Sequence, residues 1–475
     1  MAFLNKQFLP RGNASSSAKL PTGLAADLEG VTHYSCPAGL VPGIFPSGMH
    51  FHFDGLATVK FSFADGRLSW TARPYESGAE KHYSTCIFGG TGTGPTIGIK
   101  PCLTNPVVNL LPIEDQLWLT TDTSKWGRVN PDTLDTLPDE VEVASTVLNA
   151  HPACDPASKA CFVQYNCGDN AQPYTNQACI GQLVPGATGM RTVEISRAEL
   201  PERKLIQHSH SPCITPGFVI SKIDSFTARS PLNSNSGVLR FLHQAEDDLW
   251  MVMDRKTNKS AILQGSVNFV NNHFWNCYEV DGNVVIDSVA ATEDYLDNYF
   301  EKNLAADRNW TKLFHPALRC TVPAAKGGPV SCEKFFLKDE GAVIFDYPTF
   351  NPAFKMNPSY QYFYAIAAKA PTSRWFDELI KVNVRTRSVE LSWSSPGIFL
   401  TEADFIPWKG KADADRPEDH GMLLSVLYNT TSDQSSLGVF DAATLALLHQ
   451  QPLNSVIPFH AHGIVCVDGR CYSNP

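Results

Sequence analysis

The chain has 475 residues, 43% of them hydrophobic, and a formal net charge of −10 at pH 7. This length allows about three ordinary domains or one large all-β domain with a substantial core. The acidic balance argues against nucleic acid as a partner, because phosphate binding needs a concentrated basic face.

The sequence lacks the apolar segments that membrane insertion and secretion require. It has no run of about 18 or more apolar residues, so no membrane-spanning helix is expected. The first residues, MAFLNKQFLPRGN, contain no continuous apolar stretch before the proline and make a poor secretory signal. The predicted compartment is therefore the cytoplasm.

Short apolar runs separated by turns recur along the chain, whereas helical periodicity is scarce. The first clear example is TVKFSFADGRLSWTARP, with its Asp65-Gly66 turn between alternating hydrophobic residues. An Asp-Gly pair or a polar cluster in this position is a strong hairpin signal. The pattern occupies residues 58–74, 247–263, 276–289, 379–393 and 421–450.

Hairpins spread over the whole chain predict one radial all-β assembly across residues 1–475, since no linker divides the sequence. No repeat of fixed period stands out, so any repeated units have diverged. Two segments differ from the pattern. Residues 1–25 are predicted to form an irregular strap, and residues 291–305 have the apolar spacing of a helix.

The 13 cysteines include several that are close in sequence. None of them has the CxxC spacing of a zinc knuckle, so a structural metal is not expected there. In a reducing cytoplasm they are expected to be thiols, and in an oxidising compartment the close pairs are disulfide candidates. The close groups are Cys154, Cys161, Cys167 and Cys179, then Cys320 with Cys332, and Cys466 with Cys471.

Four of the 14 histidines are flanked by apolar or small residues, as expected near the inner ends of buried strands. Their separations match no local metal motif, and a lone histidine in an apolar strand is more often an ordinary core residue. Composition and spacing therefore leave both interpretations open. The four are His151, His210, His273 and His462.

Seven segments, spread over roughly four hundred residues, favour metal ligands over core residues for these histidines. Together, and in the same order along the chain, they match the sequence signatures of one family. They are PSGMHFHFDGLATVKFSFADGRLSWTAR, LTNPVVNLLPIEDQLWLTTDTSKWGRVNPDTLDT, AHPACDP, HSPCITPGFVI, HFWNCYEVDG, DYPTFNPAFKMNPSYQYFYAIA and PFHAHG. They resemble the signatures of the carotenoid oxygenase family. That family includes carotenoid-cleaving enzymes, stilbene-cleaving dioxygenases and the retinoid isomerohydrolase.

The resemblance implies a seven-bladed β-propeller with iron on its axis and a cap of loops and short helices over the active site. Position by position, it assigns Fe(II) to His151, His210, His273 and His462. Imidazole suits this metal, and four ligands leave up to two positions open. His208 and His460 each lie two residues from an assigned ligand on the same side of a strand, so a register error of two would exchange them.

The resemblance also implies residues that support the iron site and contact the substrate. The family braces its histidines with glutamates, and the matching positions here are Asp122, Asp346 and Glu402. The two aspartates are one methylene shorter, so bracing is either direct or through a water. An apolar tunnel would hold the substrate, with aromatic candidates Phe53, Trp118, Phe274, Trp275, Tyr347, Phe350 and Phe459.

The leading hypothesis is a non-haem Fe(II) dioxygenase that uses O₂ to cleave a conjugated C=C bond of an apolar polyene, a carotenoid or apocarotenoid, into two carbonyl products. Cleavage of stilbenes is an alternative. It is weakened because residues 86–96 lack the lysine that would bind a phenol, which leaves Tyr75 as the candidate. A separate departure from the family motif is Ser211, which replaces an acid after the second assigned histidine. An iron-dependent isomerase or lyase and a metal-free scaffold propeller are further alternatives.

The remaining expectations concern partners. Residues 225–242 occupy the place of an apolar entry loop that touches membranes in the family, but here the stretch is half polar. At most weak peripheral membrane contact is therefore expected. The protein is expected to be a monomer or a weak oligomer.

Overall fold

The computed structural model of this chain consists of seven antiparallel sheets arranged as the blades of a β-propeller. The structure describes residues 14–38, 57–75, 109–113, 116–121, 123–137, 141–147, 149–167, 176–186, 189–200, 206–229, 240–243, 248–292, 316–336, 343–370, 373, 375–408, 416–457 and 460–473.

The first part of the chain contributes one short helix and eighteen strands within these described ranges. They are β1 (Ala14–Lys19), α1 (Thr22–Leu28), β2 (Val31–Ala38), β3 (Ala57–Ala64), β4 (Arg67–Pro74), β5 (Asn109–Ile113), β6 (Gln116–Thr120), β7 (Thr123–Val129), β8 (Val141–Val147), β9 (Ala153–Cys154), β10 (Cys161–Asn166), β11 (Gln177–Gly186), β12 (Gly189–Glu199), β13 (Ile206–His208), β14 (Cys213–Ile214), β15 (Phe218–Arg229), β16 (Arg240–His243), β17 (Leu249–Asp254) and β18 (Lys259–Gln264).

The second part adds a 3-10 turn at Pro352–Phe354 and the remaining strands. They are β19 (Val270–Val280), β20 (Asn283–Ala291), β21 (Leu318–Val322), β22 (Ser331–Lys334), β23 (Ile344–Thr349), β24 (Tyr362–Ala368), β25 (Glu378–Asn383), β26 (Ser388–Trp393), β27 (Ile398–Pro407), β28 (Gly421–Asn429), β29 (Gln434–Asp441), β30 (Leu447–Pro452), β31 (Ala461–Val467) and β32 (Arg470–Ser473).

Six blades are built from consecutive strands, and the seventh joins the two ends of the chain. Blades 1 to 6 comprise β5–β8, β9–β12, β13–β18, β19–β22, β23–β26 and β27–β30. Blade 7 has the strand order β1-β4-β3-β2-β31-β32, in which β2 runs antiparallel to β31 with Val31 opposite Val467. This pairing closes the ring. The all-β, seven-bladed propeller expected from the sequence is therefore confirmed.

Burial differs between strands at the two ends of a blade. Nearly the whole of β19 is buried, whereas β30 alternates between half-buried and exposed residues. A strand covered on both faces is buried along its length, and one with a solvated face alternates between inner and outer side chains. Aromatic side chains fill the space between blades 4 and 5, where Trp275 lies 5.2 Å from Phe335 and 4.8 Å from Phe363 between ring centroids.

The predicted hairpins coincide with paired strands. In the turn between β3 and β4, Asp65 and Gly66 have φ values of 53° and 67°. Asp281 and Gly282, between β19 and β20, have φ values of 50° and 78°. Two consecutive positive φ values are the requirement of a two-residue type I′ hairpin turn, which explains the Asp-Gly pairs.

The two segments singled out as exceptions have different outcomes. The described part of the predicted irregular strap, from residue 14, contains β1 and most of α1, so it is regular rather than irregular; β1 gains its order by pairing with β4, Ala14 opposite Ala72. Of the helix predicted at 291–305, Ala291 ends β20 and residues 293–305 lie outside the described residues. No helix in the described ranges is long and apolar enough to cross a membrane.

Among the described residues, ten cysteines form five disulfides, the outcome expected for an oxidising compartment and not the thiols expected for a reducing cytoplasm. Four of these bonds join cysteines of the close groups noted in the sequence, and the Cys213–Cys277 bond joins residues 64 positions apart. Cys36 is a buried free thiol, and Cys86 and Cys102 lie outside the described residues. The bonds are Cys154–Cys161, Cys167–Cys179, Cys213–Cys277, Cys320–Cys332 and Cys466–Cys471.

The disulfides predict a specific labelling pattern. When the native protein is unfolded without reductant and treated with an alkylating reagent, Cys36 should be modified and the ten paired cysteines should not. After reduction all of them should react. Peptide mass spectrometry reads both states. Alkylation of Cys213 or Cys277 without reductant would contradict the bond between blades 3 and 4.

Candidate metal centre

Four histidines from four blades meet at one point in the propeller. Their potential ligand nitrogens all lie within 4.8 Å of one another. The ring centroids of His151 and His462 are 4.3 Å apart, and those of His273 and His462 are 4.9 Å apart. The structure therefore brings together His151, His210, His273 and His462, the four histidines singled out in the sequence.

The fold explains this convergence, because the four histidines lie at equivalent places in their blades. His273 lies near the start of β19 and His462 near the start of β31, while His151 and His210 shortly precede β9 and β14. The backbone N–H of His151 donates to the His210 carbonyl oxygen at 3.3 Å. Residues far apart in sequence thus share the propeller's centre.

The donor set fits a metal ion. Burial, and then the proximity of the other three histidines, holds the pKa of His462 well below its ordinary value, so its imidazole is neutral. The Nε2 atoms of His273 and His462 are buried and have no hydrogen-bond partner among the residues that the structure describes. Metal–imidazole bonds of about 2.1 Å place opposite ligands about 4.2 Å apart, close to the observed spread. Four imidazole ligands suit a divalent transition metal.

Asp346 fixes the orientation of His273. Its Oδ1 lies 2.7 Å from His273 Nδ1 and also accepts a bond from the backbone N–H of Tyr347 at 2.8 Å. Its Oδ2 accepts from the Asn272 side-chain amide at 2.8 Å. With Nδ1–H directed at this carboxylate, the Nε2 lone pair of His273 faces the cluster. The contact is direct, although the side chain is one methylene shorter than the family's glutamate.

Replacing Asp346 should weaken metal binding without removing a ligand. Asp346→Asn keeps the shape but loses the negative acceptor for His273 Nδ1–H, so we expect a loss of about 10–100-fold in metal affinity. Asp346→Glu should also weaken metal binding, even though the family carries glutamate at this position. The Asp346 carboxylate already lies at hydrogen-bond length from His273 Nδ1, so a longer side chain would disturb this contact. Chelator competition measures the affinities, and circular dichroism checks the fold. An Asp346→Asn protein with unchanged affinity would contradict this role.

A second group of polar residues surrounds the backbone beside His462. Glu402 Oε2 accepts a hydrogen bond from the Gly463 backbone N–H at 3.2 Å. His33 Nε2 lies 2.6 Å from Asp404 Oδ2, and both side chains are buried. A Cβ atom at Gly463 would come within 2.7 Å of His33 Nε2, so the pair lies directly against this glycine. Glu402 was expected from the sequence, whereas His33 and Asp404 were not.

Two residues of the centre have a left-handed backbone. His462 has a φ of 56° and Tyr347 a φ of 54°. Such values are strained for large side chains and persist where the surroundings enforce them, which is common at functional sites. The Tyr347 ring lies 5.6 Å from the ring of His273 and 5.4 Å from that of His462. Neither conformation had a signal in the sequence.

The segments that carry His210 and His273 are tied together. Ser211 Oγ donates to the Asn272 carbonyl oxygen at 3.1 Å, and the Asn271 side chain donates to the Ser211 carbonyl oxygen at 2.9 Å. The Cys213–Cys277 disulfide adds a covalent link between the same two segments. Ser211, noted as a departure from the family motif, therefore bridges two blades.

The predicted aromatic residues are divided between the cluster and the core. Tyr347 contacts the histidines as described, and Phe274 and Trp275 line a small cavity together with His151. Trp118 and Phe350 are buried elsewhere, Trp118 beneath the Arg128 guanidinium and Phe350 next to Tyr360. Three predicted site residues lie outside the described residues: Phe53, Asp122 and Phe459.

The structure also places the alternatives to the assigned histidines. His460 is not part of the four-histidine group, and its Nε2 lies 3.4 Å from Thr401 Oγ1. The side chain of His208 lies outside the described part of the molecule. Tyr75, the candidate phenol-binding residue, is buried in a core cluster with Leu117 and Leu119.

Comparison with known proteins identifies the family. The family model described as "Retinal pigment epithelial membrane protein" matches residues 26–464. This is the carotenoid oxygenase family that the sequence segments resemble. The chain belongs to this family. The match covers every described residue of the metal centre.

Similar curated proteins are carotene dioxygenases. The chain is 25% identical to beta,beta-carotene 15,15'-dioxygenase of Gallus gallus over 409 residues, covering 76% of this chain and 74% of that protein. It is 23% identical to the Mus musculus protein of the same name over 520 residues, covering 95% and 89%.

Solved structures of the family share the fold. A mutant of the Synechocystis apocarotenoid oxygenase superposes with a TM-score of 0.75 at 20% identity, covering 98% of both chains. The lignostilbene dioxygenase of Pseudomonas brassicacearum gives a TM-score of 0.73 at 17% identity, covering 96% of both chains. At such identities the likeness establishes the propeller and not the substrate.

Proposed function

We propose that the protein is a non-haem Fe(II) dioxygenase that cleaves a conjugated C=C bond of an apolar polyene, of the carotenoid or apocarotenoid class, into two carbonyl products. The observation that carries the proposal is the convergence of four buried imidazoles at the centre of a family propeller. Membership of a family that contains carotene dioxygenases supplies the reaction class.

His151, His210, His273 and His462 would hold the metal, and the described residues around them would keep the ligands in place. Asp346 holds a proton on His273 Nδ1 and thereby presents Nε2 as the ligand atom. Glu402 fixes the backbone next to His462 by accepting from Gly463 N–H. When bound, ferrous iron supplies the one-electron chemistry that the reaction of O₂ with an alkene requires.

The aromatic surroundings of the histidine cluster support an apolar substrate. The Tyr347 ring lies against the rings of His273 and His462 and is buried. Its burial excludes water from the cluster and favours contact with a conjugated hydrocarbon chain. Phe274 and Trp275 line the small cavity beside His151. The outer candidates Phe53 and Phe459 stay predictions, as does Asp122 in its bracing role.

Aerobic incubation of the iron-loaded protein with a panel of carotenes, apocarotenals and hydroxystilbenes tests the proposal. Cleavage should give two carbonyl products for each O₂ consumed, because one O₂ supplies the oxygen atom of each carbonyl. Mass spectrometry identifies the products and an oxygen electrode measures uptake. The expected substrates are polyenes. Isomerised polyene without O₂ uptake would replace this proposal by the isomerase alternative, and turnover of stilbenes alone would replace the substrate class.

The location and partners follow from other observations. The cytoplasmic location predicted from the sequence stays a prediction, and five disulfides oppose it, because such bonds persist mainly in oxidising compartments. We infer a compartment that permits disulfides. Weak peripheral membrane contact and a monomeric or weakly oligomeric state remain predictions.

A further inference from the structure

A small cavity lies against the histidine cluster, on the side of His151. Residues from blades 1 to 5 form its wall, and its volume is about 40 Å³. Five of the lining residues are polar, and the others are apolar, aromatic or the cysteines of the Cys213–Cys277 disulfide. The polar residues are Asn109, His151, Ser211, Asn276 and Lys355.

The neutral polar residues of this wall already have partners. The Asn109 side-chain amide donates to the Ala150 carbonyl oxygen at 3.3 Å. Ser211 Oγ donates to the Asn272 carbonyl oxygen at 3.1 Å. The Asn276 side chain accepts from two backbone N–H groups and donates to a carbonyl oxygen of the 3-10 turn. These groups hold the wall together and are not placed to neutralise a charge inside it.

Lys355 differs from them. It follows the 3-10 turn, and its half-buried side chain reaches the cavity wall. Among the described residues its amine has neither a carboxylate partner nor a hydrogen-bond acceptor, whereas the fully buried lysines Lys222 and Lys381 are each paired with an aspartate. Burial lowers the pKa of Lys355. An unpaired ammonium group in such surroundings is costly, and a bound anion would remove that cost.

We propose that this cavity binds a small monovalent carboxylate of about the size of formate, with Lys355 as its cationic partner beside His151. The volume sets the size limit. One water needs roughly 10–15 Å³ of such space, so the cavity accepts about three water-sized groups and not a ring or a polyene chain. The charge sets the class, because Lys355 is the one described lining residue with an amine side chain, and a bound anion would favour its protonated form. The site is separate from the polyene-binding role proposed above.

Formate is the probe that tests this site. Metal-loaded wild-type protein, titrated with sodium formate at constant ionic strength in a calorimeter, should bind one formate per chain. Lys355→Met keeps the length of the side chain and removes the charge. It should weaken formate binding roughly tenfold to a hundredfold, the usual effect of losing a hydrogen bond to a charged group. Benzoate, which exceeds the cavity, should not bind to the wild type at this site.

The matched control is Lys326→Met, which removes an exposed lysine from another part of the surface and should leave the affinity unchanged. Circular dichroism and metal content verify each variant, and Lys355→Gln replaces Lys355→Met if the latter does not fold. Undiminished formate binding in the Lys355 variant would overturn the proposal, because the anion would then lie on the metal or elsewhere. Equal binding of benzoate and formate would overturn it as well. No polyene is used, so either result leaves the proposed oxygenase reaction untouched.

Discussion

His273→Ala should yield a folded protein that no longer retains its metal and no longer cleaves substrate. The variant removes one of four imidazoles and leaves the Asp346 carboxylate buried without the contact it now makes at 2.7 Å. Loss of a residue that merely orients a ligand costs about 10–100-fold in metal affinity, so loss of the ligand itself should exceed that range. Elemental analysis after dialysis should find far less than one metal ion per chain.

His449→Ala provides the control. His449 lies on β30, at the outer end of blade 6, where its Nε2 is 3.4 Å from Gln451 Oε1. This variant should retain metal and activity. A His273→Gly protein supplied with free imidazole should regain part of its metal, since the missing ligand can then be provided from solution. Full metal content in His273→Ala would show that the four-histidine cluster is not the metal site.

The sequence predicted the hairpins because hairpin turns are local, and the resemblance to the family supplied the seven-bladed propeller. Asp65-Gly66 and Asp281-Gly282 adopt the positive φ pair that their residue types permit, and the strands beside them follow from alternation. The order at the N-terminus was missed for the opposite reason. Ala14–Lys19 is a strand because β4 is available as its partner, and such non-local pairing leaves no periodic signal in a segment rich in serine.

The candidate site was predictable only where motifs mark it. The family-like segments located His151, His210, His273 and His462, which spacing alone could not distinguish from core histidines. The family motifs also located Asp346 and Glu402, but several other residues around the cluster carried no such mark. The Cys213–Cys277 bond joins positions 64 residues apart, and neither cysteine belongs to a close pair in the sequence. Lys355 looks like an ordinary loop lysine until its position in the cavity wall is known.

The His33–Asp404 pair was missed for a related reason. His33 lies in blade 7 near the N-terminus and Asp404 in blade 6, and only closure of the ring brings them to the same glycine. The sequence around Gly463 was used to choose His462 over His460 as the ligand. The structure gives that glycine a physical reason, which is the close approach of two buried side chains.

Gly463→Ala should therefore damage the metal centre through a single methyl group. The new Cβ would come within 2.6 Å of Asp404 Oδ1 and 2.7 Å of His33 Nε2, distances at which one of the groups must move. Both side chains are buried, and the His33 ring stacks on Phe61 with centroids 5.7 Å apart, so neither can turn into solvent. Overpacking of this kind costs about 1–3 kcal/mol, and disturbing a buried charged pair adds to it.

Movement of the Gly463 backbone should also shift His462, because the two residues are adjacent and Glu402 holds the Gly463 N–H. We expect a lower denaturation midpoint and, in the protein that remains folded, weaker metal binding than in the wild type. Gly23→Ala is the matched control: nothing lies within 4 Å of its added Cβ, and it lies inside α1, where alanine is favoured over glycine by about 0.5–1 kcal/mol. That variant should be neutral or slightly stabilised. If Gly463→Ala lost stability but bound metal as tightly as Gly23→Ala, the His33–Asp404 pair would support the fold of blades 6 and 7 without positioning His462.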